Sequence, residues 1–237
     1  MSRFRVGIDI GGTFTDIVFL SAEGRLFTKK VPSSVDNYAR AIVEGMAEVF
    51  GEAGITPEDV REIRHGTTVA SNAILELKGA RVGLITSAGF RDVLEIRTLR
   101  MPRLYDLAWE KPPSLVERYL RQVVDERVNA DGVIERKPQR SEVEQVVRRL
   151  LDEKVEAIAI CLINAYANSE NERFVEEVVR ELAPDLPLCI SGDVLPEMKE
   201  YERTSTTVIN AYVLPVVATY LTALRKGLDA DSISAPI

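Results

Sequence analysis

Two adjacent glycines between two β-rich runs constrain this chain more than any other feature. Phe4, Val6, Ile8 and Ile10 alternate with other residues at a period of two, and Ile17 to Leu20 is a second strand-like run, so Gly11 and Gly12 fall at the tip of a tight hairpin. Without Cβ atoms they can take positive φ and let backbone N–H groups approach an anion, while Thr13 and Thr15 add hydroxyl donors. A phosphate fits such a tip. Asp9 puts a carboxylate two residues before the glycines, where bound phosphates would repel it unless a divalent cation or a positioned water lay between them. A plainer reading stands beside this one, in which Gly-Gly only turns the chain and Asp9 caps a neighbour.

At 237 residues and 46% hydrophobic, the chain is long enough for one large or two small domains. A formal charge of −7 leaves no basic field for a nucleic-acid backbone or an anionic membrane, so a phosphate must be held locally. No apolar run approaches the roughly 20 residues that cross a bilayer, and Arg3 and Arg5 lie in a strand pattern instead of before a signal-peptide core. The expectation is a cytoplasmic protein with no nucleic-acid or membrane partner. Cys161 and Cys189 lie in buried-looking runs and read as core residues, and with a single histidine a zinc site is not expected.

Along the chain, Leu26 to Val31 makes a third strand of an antiparallel start, and helical spacing predicts a helix from about Asn37 to Ala53, closed by Gly54. Thr56-Pro57-Glu58-Asp59 reads as a short capped helix. Arg61 to Arg64 reads as a strand entering a glycine turn, His65-Gly66-Thr67-Thr68, which opens a helix through Leu77. There the helix N-terminus, two hydroxyls and an imidazole form a second candidate site, with a structural histidine as the alternative. Arg81 to Thr86 is a buried strand. Between Arg100 and Ser114 the pattern breaks into a loop holding Trp109, read either as a functional segment or as an ordered connector.

Gln122 to Val128 and Val133 to Arg136 flank a hairpin signal at Asn129 to Gly132. Ser141 to Glu144 and Ser169 to Glu172 look like capping boxes, each opening an amphipathic helix. Strands Ala157 to Ile163 and Leu188 to Ser191 alternate with these helices, which predicts parallel pairing. Asn164 to Asn168 follows a buried strand, as a ligand loop or a plain connector. From Glu197 the chain turns helical, with four hydroxyl residues in succession at Thr204 to Thr207, whose local cost calls for tertiary contacts or a ligand. Arg203 is a candidate substrate-binding residue, or it pairs with Glu202 across a domain seam. Pro215 interrupts the helix before a last segment to about Gly227. A sub-boundary near 195–200 is expected.

Four stretches in this order carry a family resemblance: Gly7 to Asp16, His65 to Ala73, Gly89 to Ile96, and Glu200 to Thr207. The first resembles the phosphate motif of the actin, sugar-kinase and heat-shock-chaperone ATPases. Together the four are similar to the N-terminal half of the hydantoinase A and 5-oxoprolinase family, and the loop Met101 to Pro113 is closest to the N-methylhydantoinase A branch. The resemblance covers nearly the whole chain. It implies an α/β fold of the actin-like ATPase (ribonuclease H-like) type, opening with an antiparallel hairpin and continuing into mixed sheet with helices. It also implies a second half of the ATPase fold beyond Ile237, whose residues 232–237 look like the start of a next strand, and no catalysis by this portion alone.

The implied activity is ATP-dependent opening of a cyclic amide, such as a hydantoin, 5-oxoproline or another lactam, through phosphorylation of the amide oxygen. ATP and Mg²⁺ are the implied cofactors. Gly11, Gly12, Thr13 and Thr15 would hold phosphate oxygens, and Asp9 would place Mg²⁺ or its water. His65, with Asp9, is the candidate catalytic residue, and Thr67, Thr68 and Arg203 are candidates for the substrate side. A hydantoinase B-like subunit is the implied partner, and a homo-oligomer is left open. Alternatives are the ATP-hydrolysing subunit of an acetone or acetophenone carboxylase, a sugar kinase-like phosphotransferase, and a nucleotide-binding module without turnover.

Overall fold

The computed structural model describes residues 3–34, 38–98, 105, 106 and 108–237. The chain divides into two compact units, Met1–Lys78 with Val216–Ile237, and Gly79–Pro215. Residues 195–200 fall within the second.

The first unit is built on a mixed sheet of order β3-β2-β1-β4. The strands β1 (Phe4–Ile10), β2 (Phe14–Ser21) and β3 (Leu26–Pro32) pair antiparallel, and β4 (Val60–Thr67) lies parallel to β1. Phe4, Val6, Ile8 and Ile10 are buried and the residues between them exposed, so the alternation of the sequence gives one core face and one open face. Helix α1 (Tyr38–Ala53) adds Ile42, Met46 and Val49 to that core, and the second half of α7 (Glu200–Ala230) adds Tyr220, Leu224 and Leu228. Gly54, at φ +63°, ends α1 in the left-handed conformation that side chains disfavour. Asp59 accepts hydrogen bonds from both the N–H and the hydroxyl of Thr56, which fixes the single turn Pro57–Asp59.

The second unit carries an all-parallel sheet of order β10-β9-β5-β6, made of β5 (Val82–Ser87), β6 (Arg121–Val124), β9 (Ala157–Cys161) and β10 (Leu188–Ile190). Every residue of β5 and β9 is buried, as strands of a parallel sheet require. Helices α4 (Arg140–Asp152) and α5 (Glu170–Leu182) precede β9 and β10, the two helix-to-strand units expected from the sequence. Cys161 and Cys189 are buried and free.

Several expectations are corrected. The run Gln122 to Val128 is two strands: β6 joins the parallel sheet, and β7 (Arg127–Val128) pairs with β8 (Ile134–Arg136), because the chain turns inward at the buried Glu126. Gln139, not Ser141, precedes the first turn of α4. Ser169 does stand at the start of α5, yet Glu172 is buried in the unit's interior and closes no capping box. Pro215 lies inside α7 without ending it; packing of Ala211 and Tyr212 before it, and of Tyr220 and Leu224 after it, outweighs the one lost hydrogen bond. An unbroken α7 is, by length and composition, apolar enough to cross a membrane, with a window of mean hydropathy 1.6, contrary to the expectation of no such run, because Pro215 does not divide it. Of the loop Met101 to Pro113, residues 101–104 and 107 lie outside the described residues.

Candidate functional site

The hairpin tip of the first unit is open. Gly12 and Thr13 are exposed, and their N–H groups make no hydrogen bond among the described residues, whereas the Gly11 N–H closes the turn on the Phe14 carbonyl at 3.0 Å. Neither glycine has positive φ, contrary to expectation. Space is what demands them: a Cβ on Gly12 would stand 3.3 Å from Asn72 Nδ2, and one on Gly11 3.1 Å from the Phe14 carbonyl oxygen. Ser33 clamps the bend from behind, its hydroxyl donating to the Gly11 carbonyl at 2.7 Å and its N–H to the Thr13 carbonyl at 2.9 Å. Thr15, expected as a phosphate donor, is fully buried with its hydroxyl 2.9 Å from Ser33 Oγ, so it shapes the bend from inside.

Asp9 stands on the open face, in register with Asp16 on one side and Gly66 on the other. Lys30 Nζ meets Asp16 at 3.0 Å, while Asp9 has no partner among the described residues. Gly66 belongs to β4 and not to a turn; with no side chain there, Asp9 Oδ1 lies 3.8 Å from the place a Cβ would take, and the carboxylate keeps free space around it.

His65 pairs in register with Ile8 and therefore lies on the core face, across the sheet from Asp9. Its Nδ1 is 3.3 Å from the Tyr220 hydroxyl, and the two rings meet edge to face at 5.7 Å. Burial holds the imidazole below the usual histidine range and pushes the Tyr220 phenol up to about 12, so both are neutral at pH 7. The two expected catalytic residues are thus on opposite faces of one sheet and do not meet.

Thr67 and Thr68 join β4 to α2 (Val69–Leu75). Thr67 Oγ1 accepts the Val69 N–H at 3.1 Å. The N–H and the hydroxyl of Thr68 donate to the Ile10 carbonyl at 3.1 and 3.2 Å, and Asn72 Nδ2 donates to Thr68 Oγ1 at 3.2 Å. The first turn of α2 is so stitched to the end of β1, beside Gly12. Sequence reading misses Asn72 and Ser33. The i+4 spacing of Asn72 from Thr68 is the signal for the first; nothing in the local pattern marks the second.

Arg203 lies in the second unit and is fully buried. It donates to Ser191 Oγ at 2.5 Å, to the Leu162 carbonyl at 2.8 Å and to the Glu200 carboxylate, with Glu172 at 3.9 Å. Glu172 in turn accepts the Ser191 hydroxyl at 2.5 Å and the N–H groups of Leu162 and Gly192, both at 2.9 Å. A second cluster joins Glu126 to the Ser87 hydroxyl and, at 2.7 Å, to Asn171 Nδ2. Burial raises both carboxyls above their usual range. Arg203 therefore holds the ends of the parallel strands together, and its close ion pair is with Glu200 instead of Glu202. Asn164 and Asn168 likewise bond the carbonyls of Val128 and Gly132, which makes their segment an ordered connector. Among the described residues no three His, Cys, Asp or Glu side chains could jointly hold a metal. A hard cation at Asp9 would complete its shell with ligand and water oxygens.

Residues 5–183 match the family model described as the hydantoinase/oxoprolinase N-terminal region. The chain is 34% identical to caprolactamase subunit alpha of Pseudomonas jessenii, over 92% of this chain and 32% of that protein. It is 30% identical to 5-oxoprolinase 1 of Arabidopsis thaliana, over 97% of this chain and 20% of that protein. The crystal structure of the ATP-dependent caprolactamase from Pseudomonas jessenii matches with a TM-score of 0.86 at 34% identity, covering 94% of this chain and 34% of that one. A nucleotide-free structure of acetone carboxylase, from work on ATP-dependent acetone carboxylation, also gives a TM-score of 0.86, at 25% identity, covering 98% of this chain and 35% of that one. The chain spans about a third or less of the length of these relatives. With motif, mixed α/β architecture and these matches in agreement, the chain belongs to the hydantoinase/oxoprolinase family, within its N-terminal region.

Proposed function

We propose that the protein carrying this chain is an ATP-dependent hydrolase that opens a cyclic amide, and that its first unit is the phosphate-binding part of an actin-like, ribonuclease H-like ATPase fold. One observation carries the reading. At an exposed bend the Gly12 and Thr13 N–H groups are unpaired among the described residues, and beside them the Asp9 carboxylate has no partner among those residues. Two free donors on an open glycine-rich tip suit phosphate oxygens, and a free carboxylate next to them suits Mg²⁺. The relatives named caprolactamase and 5-oxoprolinase support a lactam as the second substrate.

In this reading the Gly12 and Thr13 N–H groups and the Thr13 hydroxyl hold phosphate oxygens, and Asp9 holds Mg²⁺ directly or through water. Thr15, Ser33, Thr67 and Thr68 keep the bend and the first turn of α2 in place. His65, on the other face, takes no part in the phosphate chemistry. ATP supplies a phosphoryl group to the amide oxygen, which ends the nitrogen–carbonyl resonance that protects an amide from water. A hydantoinase B-like partner is proposed because the caprolactamase relative is itself named a subunit. Two free, buried cysteines fit a reducing cytoplasm.

The likeness to acetone carboxylase favours a second reading, an ATP-hydrolysing carboxylase subunit. Phosphate release by the full-length protein, with any co-encoded partner, against cyclic amides and against ketones with bicarbonate separates the two. The proposal expects release driven by a cyclic amide; release driven only by a ketone with bicarbonate, or by neither, overturns it.

A further inference from the structure

A cavity of about 190 Å³ in the second unit lies between α3 (Val93–Ile96), residues 112–115 and the start of α7. Three hydroxyls in its lining, on Ser114, Tyr201 and Ser205, have no hydrogen-bond partner among the described residues. Of the hydroxyl run Thr204 to Thr207, three are spent within the protein: Thr204 lies 3.1 Å from Cys161 Sγ, and Thr206 and Thr207 donate to the carbonyls of Glu202 and Arg203 at 2.7 and 2.8 Å. Ser205 is the exception. Its hydroxyl and that of Tyr201, one turn earlier, have no partner among the described residues, and both residues line the cavity. Ser114 lines it too, with a buried Oγ that meets no partner among the described residues, a costly arrangement unless something in the cavity completes it.

Arg97 supplies charge. Its backbone, at φ +60° and ψ −142°, is in a region that side chains rarely take, and such strain gathers at binding sites. Its guanidinium donates to the Pro112 carbonyl at 2.5 Å, and no carboxylate pairs with it among the described residues. The nearby carboxylates are committed elsewhere, Asp92 to Arg118 at 3.0 Å and Glu95 to Arg121 at 2.8 Å. Glu95 is held below its usual range first by the hydrogen bond from Arg121, with the charges of Arg121, Arg97 and Lys111 adding to it. Leu94, Leu115 and Val208 make the rest of the lining apolar. The volume is below the roughly 300–1,000 Å³ of sites for drug-sized ligands.

We propose that this cavity is a binding site for a small organic monocarboxylate with a short apolar body, its carboxylate on Arg97 and the hydroxyls of Ser114, Tyr201 and Ser205. The proposal does not depend on the phosphate site of the first unit. Calorimetric titration of the full-length protein tests it with two probes that share one ring, 5-oxoproline, which has a carboxylate, and 2-pyrrolidinone, which does not. Wild-type protein is expected to bind 5-oxoproline more tightly by roughly tenfold or more, the worth of a charge-assisted hydrogen bond, and Arg97→Met to lose that margin while still binding ATP. If Arg97→Met also loses ATP binding, the Tyr201→Phe/Ser205→Ala variant reads the same contrast, with a smaller loss expected. Equal affinity for the two probes, tighter binding of inorganic phosphate than of 5-oxoproline, or undiminished 5-oxoproline binding by the folded variants overturns the proposal.

Discussion

In the first unit the groups able to do chemistry stand in solvent with nothing bonded to them: the Asp9 carboxylate, two N–H groups and a hydroxyl at Gly12 and Thr13. In the second unit the most charged motif, Glu200 to Arg203, delivers its arginine into a fully buried network with Glu172 and Ser191. Both stretches read in sequence as candidate sites. What separates them is how far they are bonded: a polar group held open at a bend is available to a ligand, whereas Arg203, bonded through both terminal nitrogens though not through Nε, ties the fold together.

The contrast can be broken from either side. Arg203→Met should show the largest effect, about 3–5 kcal/mol lost from the unfolding free energy of the second unit, because Glu172 is left buried without its cation. Urea unfolding checks it, and a cost near zero would show that the network does not hold the strand ends. Asp9→Asn in the full-length protein should slow ATP turnover about 100-fold or more, equivalent to about 2.7 kcal/mol, at an unchanged melting temperature, since the carboxylate makes no hydrogen bond or ion pair among the described residues. A lowered melting temperature with normal turnover would move Asp9 to the architectural side. Thr15→Val should cost about 1–2 kcal/mol by leaving the Ser33 hydroxyl short of a partner, while Thr13→Val should leave stability alone and weaken ATP binding.

The smallest effect is in pH. His65 is held below its ordinary 6.5, so the unfolded chain takes up the proton first, and the first unit loses stability as pH falls through the folded-state value. Glu126 and Glu172 are raised above their ordinary 4.5, so their contribution is complete below that value and is lost as pH rises through the raised ones. As pH rises, the first unit should therefore gain stability on approaching 6.5 and the second lose it from 4.5 upward, which amide exchange along β4 and β9 would resolve. Parallel drift would mean that these buried groups do not govern the response.

Much of the first unit was legible because its signals are local. Alternation in β1 fixes which side chains are buried, and the bend at Gly11 and Gly12 follows from two strands with two residues free of side chains between them. Gly66 misleads for a reason that is not local: it looks like a turn, yet β4 runs through it, paired in register with Asp9 of β1. The same holds for Glu172 and Arg203, whose partners Leu162 and Ser191 are distant in sequence, and for Pro215, whose neighbours keep α7 going. Period and punctuation show where elements begin. They do not show which polar residues will find each other.

The central claim is that the bend after β1 grips the phosphates of ATP. A structure of the full-length protein with Mg²⁺ and a non-hydrolysable ATP analogue tests it most directly. The account predicts phosphate oxygens on the Gly12 and Thr13 N–H groups with Mg²⁺ on the Asp9 side; phosphates bound elsewhere, with this bend unchanged and bare, would contradict it.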